Sequence, residues 1–399
     1  MFLAARLVKT GGRVAAVLPR STLSGVSFAK VWEAYLRDFH LEYVLSTFDT
    51  GDKSAGIDPW SFSENTNIGE VMVIARRRDQ IAETERTLYV NLWRKPRNEV
   101  VSLLYSQQII KKAETLTKGL LDGEFETIEA AGETAGVIYW IDRSQLKENL
   151  LAPAVFAHPQ SNQALLEARS AKDLVRLDTL ATEYGYDIRW LKDAFKKISG
   201  SSTYRVVWGH QGAMNTLSLD DSYLGYGKPK RGQKSAGIFS RYSSDLLIAE
   251  RPHLSTECSL AFLASRPVMG TAFWELRLRD QTYAPMLIVW LASTYGLMLY
   301  LSIATSSQGD IVKLKKEQMA ELLVPDPKQF DQKVWATTYA KHANTPLGTY
   351  RQQFEAATQQ QGVRYAIDGF VASQMDLPRM TKAQYELLAS DPIITKERL

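Results

Sequence analysis

An α/β fold is predicted by three features of the sequence. A helical apolar face at Phe2, Leu3, Ala5 and Leu7 runs into a Gly11-Gly12 turn, where positive φ is cheap, and then into the unbroken apolar segment 14–18, ended by Pro19. A helix pattern at 27–37, with Phe28, Val31, Trp32, Tyr35 and Leu36 at helical spacing, leads into a strand pattern at 41–48. A polar loop at 49–66 then precedes another strand pattern, 69–77, which ends in a basic run. Strand, helix, strand, loop, strand is the alternation of an α/β protein.

The segment 14–18 has no polar alternation, which suits a strand covered on both faces, as in a parallel sheet. Such a strand is an interior one and needs neighbours. No N-cap residue precedes the first helix, and no earlier strand is present. The expectation is the back half of an α/β domain, its front half missing or supplied by another chain.

Further along, strands are expected at 88–92 and 136–142, and helices at 99–116 and from Ser144. Two more helices are expected at 162–181 and 188–198, with Leu165, Leu166, Leu174, Leu177 and Leu180 on their apolar side. The texture changes at Ser201. A strand candidate at 203–208 is followed by a long polar segment, 209–235, and by short apolar pieces at 245–249 and 271–278. The strongest helix of this half is 284–300. A strand at 310–316 and a helix at 316–323 close on Val324-Pro325-Asp326-Pro327, and two polar helices, 330–343 and 350–360, lead to a helical tail. No internal repeat or low-complexity block is present. The expected domains are 1–80, 81–200, 201–328 and 329–399.

The chain's 399 residues suit two or three domains, and its 45% hydrophobic content is enough for real cores. The net charge of +4 is mild, so local clustering decides whether a polyanion is a partner. The single cysteine, Cys258, excludes an internal disulfide framework and any Cys-rich zinc site. Histidines 40, 158, 210, 253 and 342 lack ligand spacing, so no metal site is expected. The most apolar segment, 284–303, contains Ser293, Thr294 and Ser302 and reads as a buried helix rather than a membrane span. With no signal peptide evident, a cytoplasmic protein with no membrane partner is expected.

Several stretches, in order, resemble the adenine-specific (N6) DNA methyltransferases of restriction-modification and phage-defence systems. FLAARLVKTGGRVAAVLPRSTLSG is similar to the helix-turn-strand that follows the catalytic loop of those enzymes, and VWEAYLRDFHLEYVLSTF to their next helix and strand. FSENTNIGEVMVIARR resembles the segment that closes the methyltransferase sheet. LIVWLASTYGLMLYLSIATSSQGDIVKLKKEQMAELLVPDP resembles a segment of the C-terminal target-recognition region, whose apolar helix carries an Asn-Ser-Thr-x-Gly pattern; here Ala292 stands in place of the Asn, before Ser293, Thr294 and Gly296. The resemblance covers the first 80 residues and, more loosely, 236–328, and its order carries it rather than any one motif.

It implies the C-terminal part of a Rossmann-like methyltransferase sheet followed by a mixed α+β target-recognition region. The family's Gly-rich S-adenosylmethionine loop and its (Asn/Asp/Ser)-Pro-Pro-(Tyr/Phe) loop are both lacking; Asp58-Pro59-Trp60 is the nearest string, with one proline and after the wrong strand. S-adenosylmethionine would therefore be bound mainly by a missing N-terminal half, and this chain alone would not methylate.

Methylating an adenine amino group requires the base to leave the helix and be held by polar acceptors. In the loop 61–67, Phe62 and Asn65 are the candidates for contact with the base, against the plainer reading of a turn asparagine and a core phenylalanine. Lys228, Lys230, Arg231 and Lys234 form the clearest charge cluster, in a Gly/Pro context beside Tyr223 and Tyr226. A flexible basic loop of this kind suits DNA phosphates, and the plainer reading is a solvated surface loop. Arg241, Arg251 and Arg266 follow as further DNA-binding candidates. Arg76, Arg77 and Arg78 read as a solvated strand end, with phosphate contact second, Lys313, Lys315 and Lys316 as solubilising, with DNA backbone contact as the alternative, and Ser293 and Thr294 as packing residues bonded back to their helix. The expected partners are double-stranded DNA and an N-terminal methyltransferase half or restriction subunit. The rival reading is a non-catalytic DNA-recognition or accessory subunit of a restriction-modification or defence system; a third is an unrelated α/β enzyme.

Overall fold

The computed structural model describes residues 2–48, 69–80, 82, 84–94, 96, 98–186, 188–209, 214–306 and 312–395. The chain forms two compact units: Met1–Glu167 with Thr305–Asp310 and Ser390–Leu399, and Ala168–Ala304 with Ile311–Ala389. Each has a mixed sheet, so the α/β class holds for the whole molecule.

In the first unit, α1 (Phe2–Leu7) precedes β1 (Arg13–Pro19), and α2 (Ala29–Asp38) runs directly into β2 (Phe39–Thr47). α2 buries Trp32, Tyr35 and Leu36, the apolar stripe visible in the sequence. β3 (Glu70–Arg77), β4 (Arg86–Leu92), α3 (Glu99–Thr115), β5 (Glu126–Ala130) and β6 (Glu133–Asp142) complete a six-stranded sheet of order β1-β3-β2-β4-β6-β5. Only β2 and β4 run parallel; every other neighbouring pair is antiparallel. The boundary expected at residue 80 falls inside this continuous sheet, because β4 pairs with β2 from Tyr43↔Leu88 to Thr47↔Leu92. Asn98 caps α3 by accepting from the Val101 amide, and the helix buries Tyr105 and Ile109 against Leu88, Val90, Ile128 and Ile138.

β1 corrects the expectation of an interior strand. It pairs only with β3, antiparallel, and among the described residues its other edge has no strand partner. Its residues alternate between exposed and half-buried, with Val17 44% exposed. An apolar run shows what a strand is able to bury; it does not show that a cover is present. Arg76, Arg77 and Arg78 are tied down rather than solvated: Arg76 pairs with Glu42 at 2.7 Å, Arg77 donates to the Val8 carbonyl at 2.7 Å, and Arg78 lies 3.5 Å from Glu85.

After α4 (Arg143–Glu148) and α5 (Pro159–Arg169), the helices expected at 162–181 and 188–198 each stop early. The first gives way to short strands, β7 (Leu174–Arg176) and β8 (Ala181–Glu183). The second, α6 (Ile188–Ala194), turns into β9 (Phe195–Ile198). The second unit's sheet adds β10 (Arg205–Val207), β11 (Ser218–Leu219), β12 (Gly225–Pro229), β13 (Ser244–Ala249), β14 (Ala261–Gly270) and β15 (Phe273–Leu278). The order is β8-β15-β13-β14-β10-β12-β9, with β11 also on β14. α7 (Gln233–Tyr242) lies between β12 and β13.

The helix expected at 284–300 is two helices, α8 (Ala284–Ala292) and α9 (Thr294–Ile303), bent by 85° at Ser293. The Ser293 and Thr294 hydroxyls make that corner. Ser293 Oγ accepts from the Gly296 amide at 3.0 Å and donates to the Trp290 carbonyl at 2.6 Å, while Thr294 Oγ1 donates to buried Asp368 at 2.5 Å. A Cβ on Gly296 would stand 2.0 Å from the Trp290 carbonyl oxygen, so only glycine fits. Among the described residues no single helix is long and apolar enough to cross a membrane. The unit closes with α10 (Lys316–Ala320), a short strand at Leu323–Pro325 paired with β7, and α11 (Gln332–His342), α12 (Tyr350–Thr358), α13 (Gly362–Met375) and α14 (Lys382–Ser390).

Candidate nucleic-acid interface

The basic cluster read as a flexible loop is ordered structure. Lys228 lies on β12, Lys230 and Arg231 follow it, and Lys234 sits in the first turn of α7. The Lys230 amide donates to the Ala194 carbonyl at 2.8 Å and its Nζ to the Lys192 carbonyl at 2.7 Å; Ser235 Oγ receives the Arg231 amide at 3.2 Å. This segment is a strand because β9 lies beside it, a partner whose own sequence pattern suggests a helix.

The pairing brings in lysines that sequence pattern alone does not single out. Lys196 on β9 stands directly across from Lys228, and Lys197 across from Gly227. Like charges at directly opposed positions are destabilising. Within 192–198 and 225–235 the one acid is Asp193. Among the described residues, Lys192, Lys196, Lys197, Lys228, Arg231 and Lys234 have no acidic partner, and all are exposed. A sheet edge with this uncompensated charge favours an anion. The signal is present in the sequence as Lys196-Lys197, but it lies outside the region suspected of recognition.

On the same face of β12 as Lys228, Tyr226 pairs in register with Arg205 of β10, whose guanidinium carbon lies 4.3 Å from the centre of the tyrosine ring. Here the sheet opens into a cleft of about 740 Å³. Arg205, Arg266 and Arg277, the rings of Tyr226 and Phe239, Pro267, and the hydroxyl residues Ser201, Ser202, Thr203, Ser240 and Ser243 line it. Arg266 reaches it because 264–267 bulge from β14 where its pairing with β13 skips from Leu263 to Val268. Arg277 is held by the Ser240 and Ser243 carbonyls, each at 3.0 Å. Arg205 is nearly buried and donates to the Asp221 carbonyl at 3.1 Å, while its Nε has no hydrogen-bond partner among the described residues.

Asp221 is the acid that touches two of these arginines, Arg205 and Arg266. Its carboxylate takes Arg266 Nη2 at 2.5 Å and Nε at 3.2 Å, accepts from Ser265 Oγ, and lies 3.9 Å from Arg205. The Ser265 hydrogen bond and the Arg266 guanidinium hold its carboxyl below the usual carboxylate range.

The remaining candidates scatter. Arg241 lies on α7 with its guanidinium 5.1 Å from the Tyr242 ring. Arg251 pairs with Glu250 at 3.4 Å, as does Lys313. Phe62, Asn65 and His210 lie outside the described residues. No three His, Cys, Asp or Glu side chains gather as a metal site among the described residues, and burial pushes the Cys258 thiol up to about 12.

β1 leads into a 3₁₀ turn at Arg20–Leu23 and β4 into Trp93 and Arg94, neither of them a glycine-rich phosphate- or cofactor-type turn opening a helix.

No protein-family model and no curated protein matches the chain. Among solved structures, the type IIG restriction endonuclease BpuSI is similar over 99% of this chain and 48% of its own length, at TM-score 0.42 and 13% identity. A chain of a type I restriction-modification system is similar over 36% of this chain and 28% of its own, at TM-score 0.23 and 14% identity. A modification subunit assigned to a type I restriction enzyme of Vibrio vulnificus YJ016 is similar over 32% of this chain and 26% of its own, at TM-score 0.21 and 15% identity. The chain thus spans half or less of each of these proteins. Similarity at this level assigns no role to any residue here.

Proposed function

We propose that this chain is the C-terminal portion of an S-adenosylmethionine-dependent N6-adenine DNA methyltransferase, contributing DNA target recognition and part of the methyltransferase fold. The open edge of β1 carries the reading. An apolar strand whose outer edge is unpaired among the described residues, with Val17 44% exposed, is a template for another strand. Leu3 and Leu7 of α1, 71% and 74% exposed, extend the uncovered surface. The segment holding them is the one that resembles the methyltransferases just after their catalytic loop. A chain bearing the Gly-rich cofactor loop and the Asn-Pro-Pro-Tyr-type loop would dock there and bind S-adenosylmethionine. The second unit, with its lysine edge, would hold duplex DNA, chiefly through phosphates.

The test is transfer of a labelled methyl group to adenine-containing duplex. This chain alone is expected to give none, and mixing it with a chain that carries the two loops is expected to give methylated adenine. Sustained turnover by this chain alone overturns the proposal. The accessory-subunit reading is favoured instead if the mixture stays inactive while the chain still binds duplex.

A further inference from the structure

We propose that the cleft between Arg205, Arg266 and Arg277 is a phosphodiester clamp for one DNA strand, and that Asp221 is its built-in competitor. The inference rests on the DNA-binding reading above and adds to it a site with a mode of control. Three guanidiniums converge where a single carboxylate, that of Asp221, touches two of them. Arg277, which stands across from Glu183 in register, is oriented by two backbone carbonyls that both accept from its Nη2, leaving Nε and Nη1 to donate. Guanidinium forks and serine hydroxyls are the donors that match phosphate oxygens, and a pre-oriented fork loses little freedom on binding.

The Asp221 carboxylate occupies the Arg266 fork much as a phosphate would, accepting from both Nε and Nη2. A phosphodiester entering the cleft displaces it, and the freed carboxylate keeps its Ser265 hydrogen bond in the exposed bulge. Tyr226, on the same strand face as Lys228, links the cleft to the lysine edge, so one backbone can follow both.

The test measures binding of a fluorescent duplex to the full chain across a salt series. Asp221→Asn is expected to tighten binding severalfold at low salt, a gain that misfolding cannot imitate. Arg266→Gln and Arg277→Gln are each expected to weaken binding equally on unrelated sequences and to flatten the log-log salt slope by about 0.9 for each phosphate no longer neutralised. Lys196→Gln with Lys228→Gln reports on the lysine edge. Unchanged binding in all three cleft variants, with binding weakened by the lysine pair, overturns the clamp and leaves the DNA reading standing. Salt-independent or absent duplex binding by the unaltered chain overturns both. A free mononucleotide that displaces the duplex at equal phosphate concentration would reassign the cleft to a small phosphorylated ligand and overturn the clamp.

Discussion

The two sheets end on opposite kinds of edge. β1 presents Arg13, Ala15, Val17 and Pro19 to water, while β9 presents Lys196 and Lys197. Edge lysines are a common device for stopping one sheet from adding to another. β9 therefore refuses a strand and invites an anion, whereas β1 invites a strand. The cores behind these edges also differ. Behind the second sheet lies the bent pair α8–α9, buried along its length, with Tyr300 of α9 donating to the Ala249 carbonyl of β13 at 2.8 Å. Edge chemistry thus sets a largely apolar strand edge apart from a cationic one.

The largest expected effect comes from breaking the corner that backs the second sheet. In Gly296→Ala the new methyl meets the Trp290 carbonyl, and the 85° bend cannot close. A loss of about 3–5 kcal/mol is expected, in the range reserved for core strain, read as a lower urea midpoint. Ser293→Ala, which removes the cap on the Gly296 amide and the bond to the Trp290 carbonyl, should cost about 1–2 kcal/mol. Equal losses in the two variants would show that the glycine is not required by the corner.

Next is the apolar edge. Val17→Lys puts on β1 the device that β9 already carries. If β1 is a docking edge, self-association of the chain at high concentration, measured by sedimentation, should weaken by about tenfold, equivalent to ~1.4 kcal/mol. The melting temperature should hardly move, because Val17 is already exposed. A chain that remains monomeric at every concentration with Val17 in place would remove the argument from the edge.

A smaller effect tests the charged edge. Lys196→Glu replaces a like-charge pair with an opposite one across from Lys228, and a gain of about 0.2–1 kcal/mol in stability is expected. Duplex affinity should fall in the same variant. Stability and binding moving in opposite directions is the signature of charge kept for a ligand, and a joint loss of both would indicate a structural role.

How much of this is legible in the sequence follows from the range of each interaction. α2, β2, β3 and α3 stand out because their periodicity is local: Trp32, Tyr35 and Leu36 define a face by spacing alone. β5, β9 and β12 do not, since short strands carry almost no internal pattern and exist through their neighbours. The Ser293-Thr294-x-Gly296 string is visible as a motif, but its meaning depends on how closely Trp290 approaches. For the site, Arg266 and the Lys228–Lys234 cluster are picked out by residue type. Arg205, Arg277 and Asp221 are not, because sequence does not show that a bulge in β14 brings position 266 to position 221. The antiparallel pairing of β1 with β3 is missed for the same reason: hydrophobicity is local and pairing is not.

A last effect is a pH dependence that tells the two units apart. Each buries a carboxyl held by backbone amides. In the second unit Glu275 accepts from the Gly270 amide at 2.6 Å and from the Tyr186 amide at 3.1 Å, against Gly185, where a Cβ would meet the carboxyl oxygen at 2.4 Å. In the first, Asp391 accepts from the Ala157 amide at 2.9 Å and the Ile393 amide at 3.1 Å. Burial pushes Glu275 up to about 8 and Asp391 up to about 7, the amide bonds opposing it in both. A carboxyl whose affinity for a proton is higher when folded contributes stability that is complete below its unfolded value and fades as pH rises through its folded one. For Glu275 that window runs from about 4.5 to about 8, and for Asp391 from about 3.8 to about 7. Glu275→Gln should therefore melt closer to the parent as pH climbs towards 8, and Asp391→Asn should close its own gap about one pH unit sooner. Gaps that widen with rising pH in both variants would mean that the two carboxylates are charged and stabilising in the folded chain, and that the amides facing them outweigh their burial.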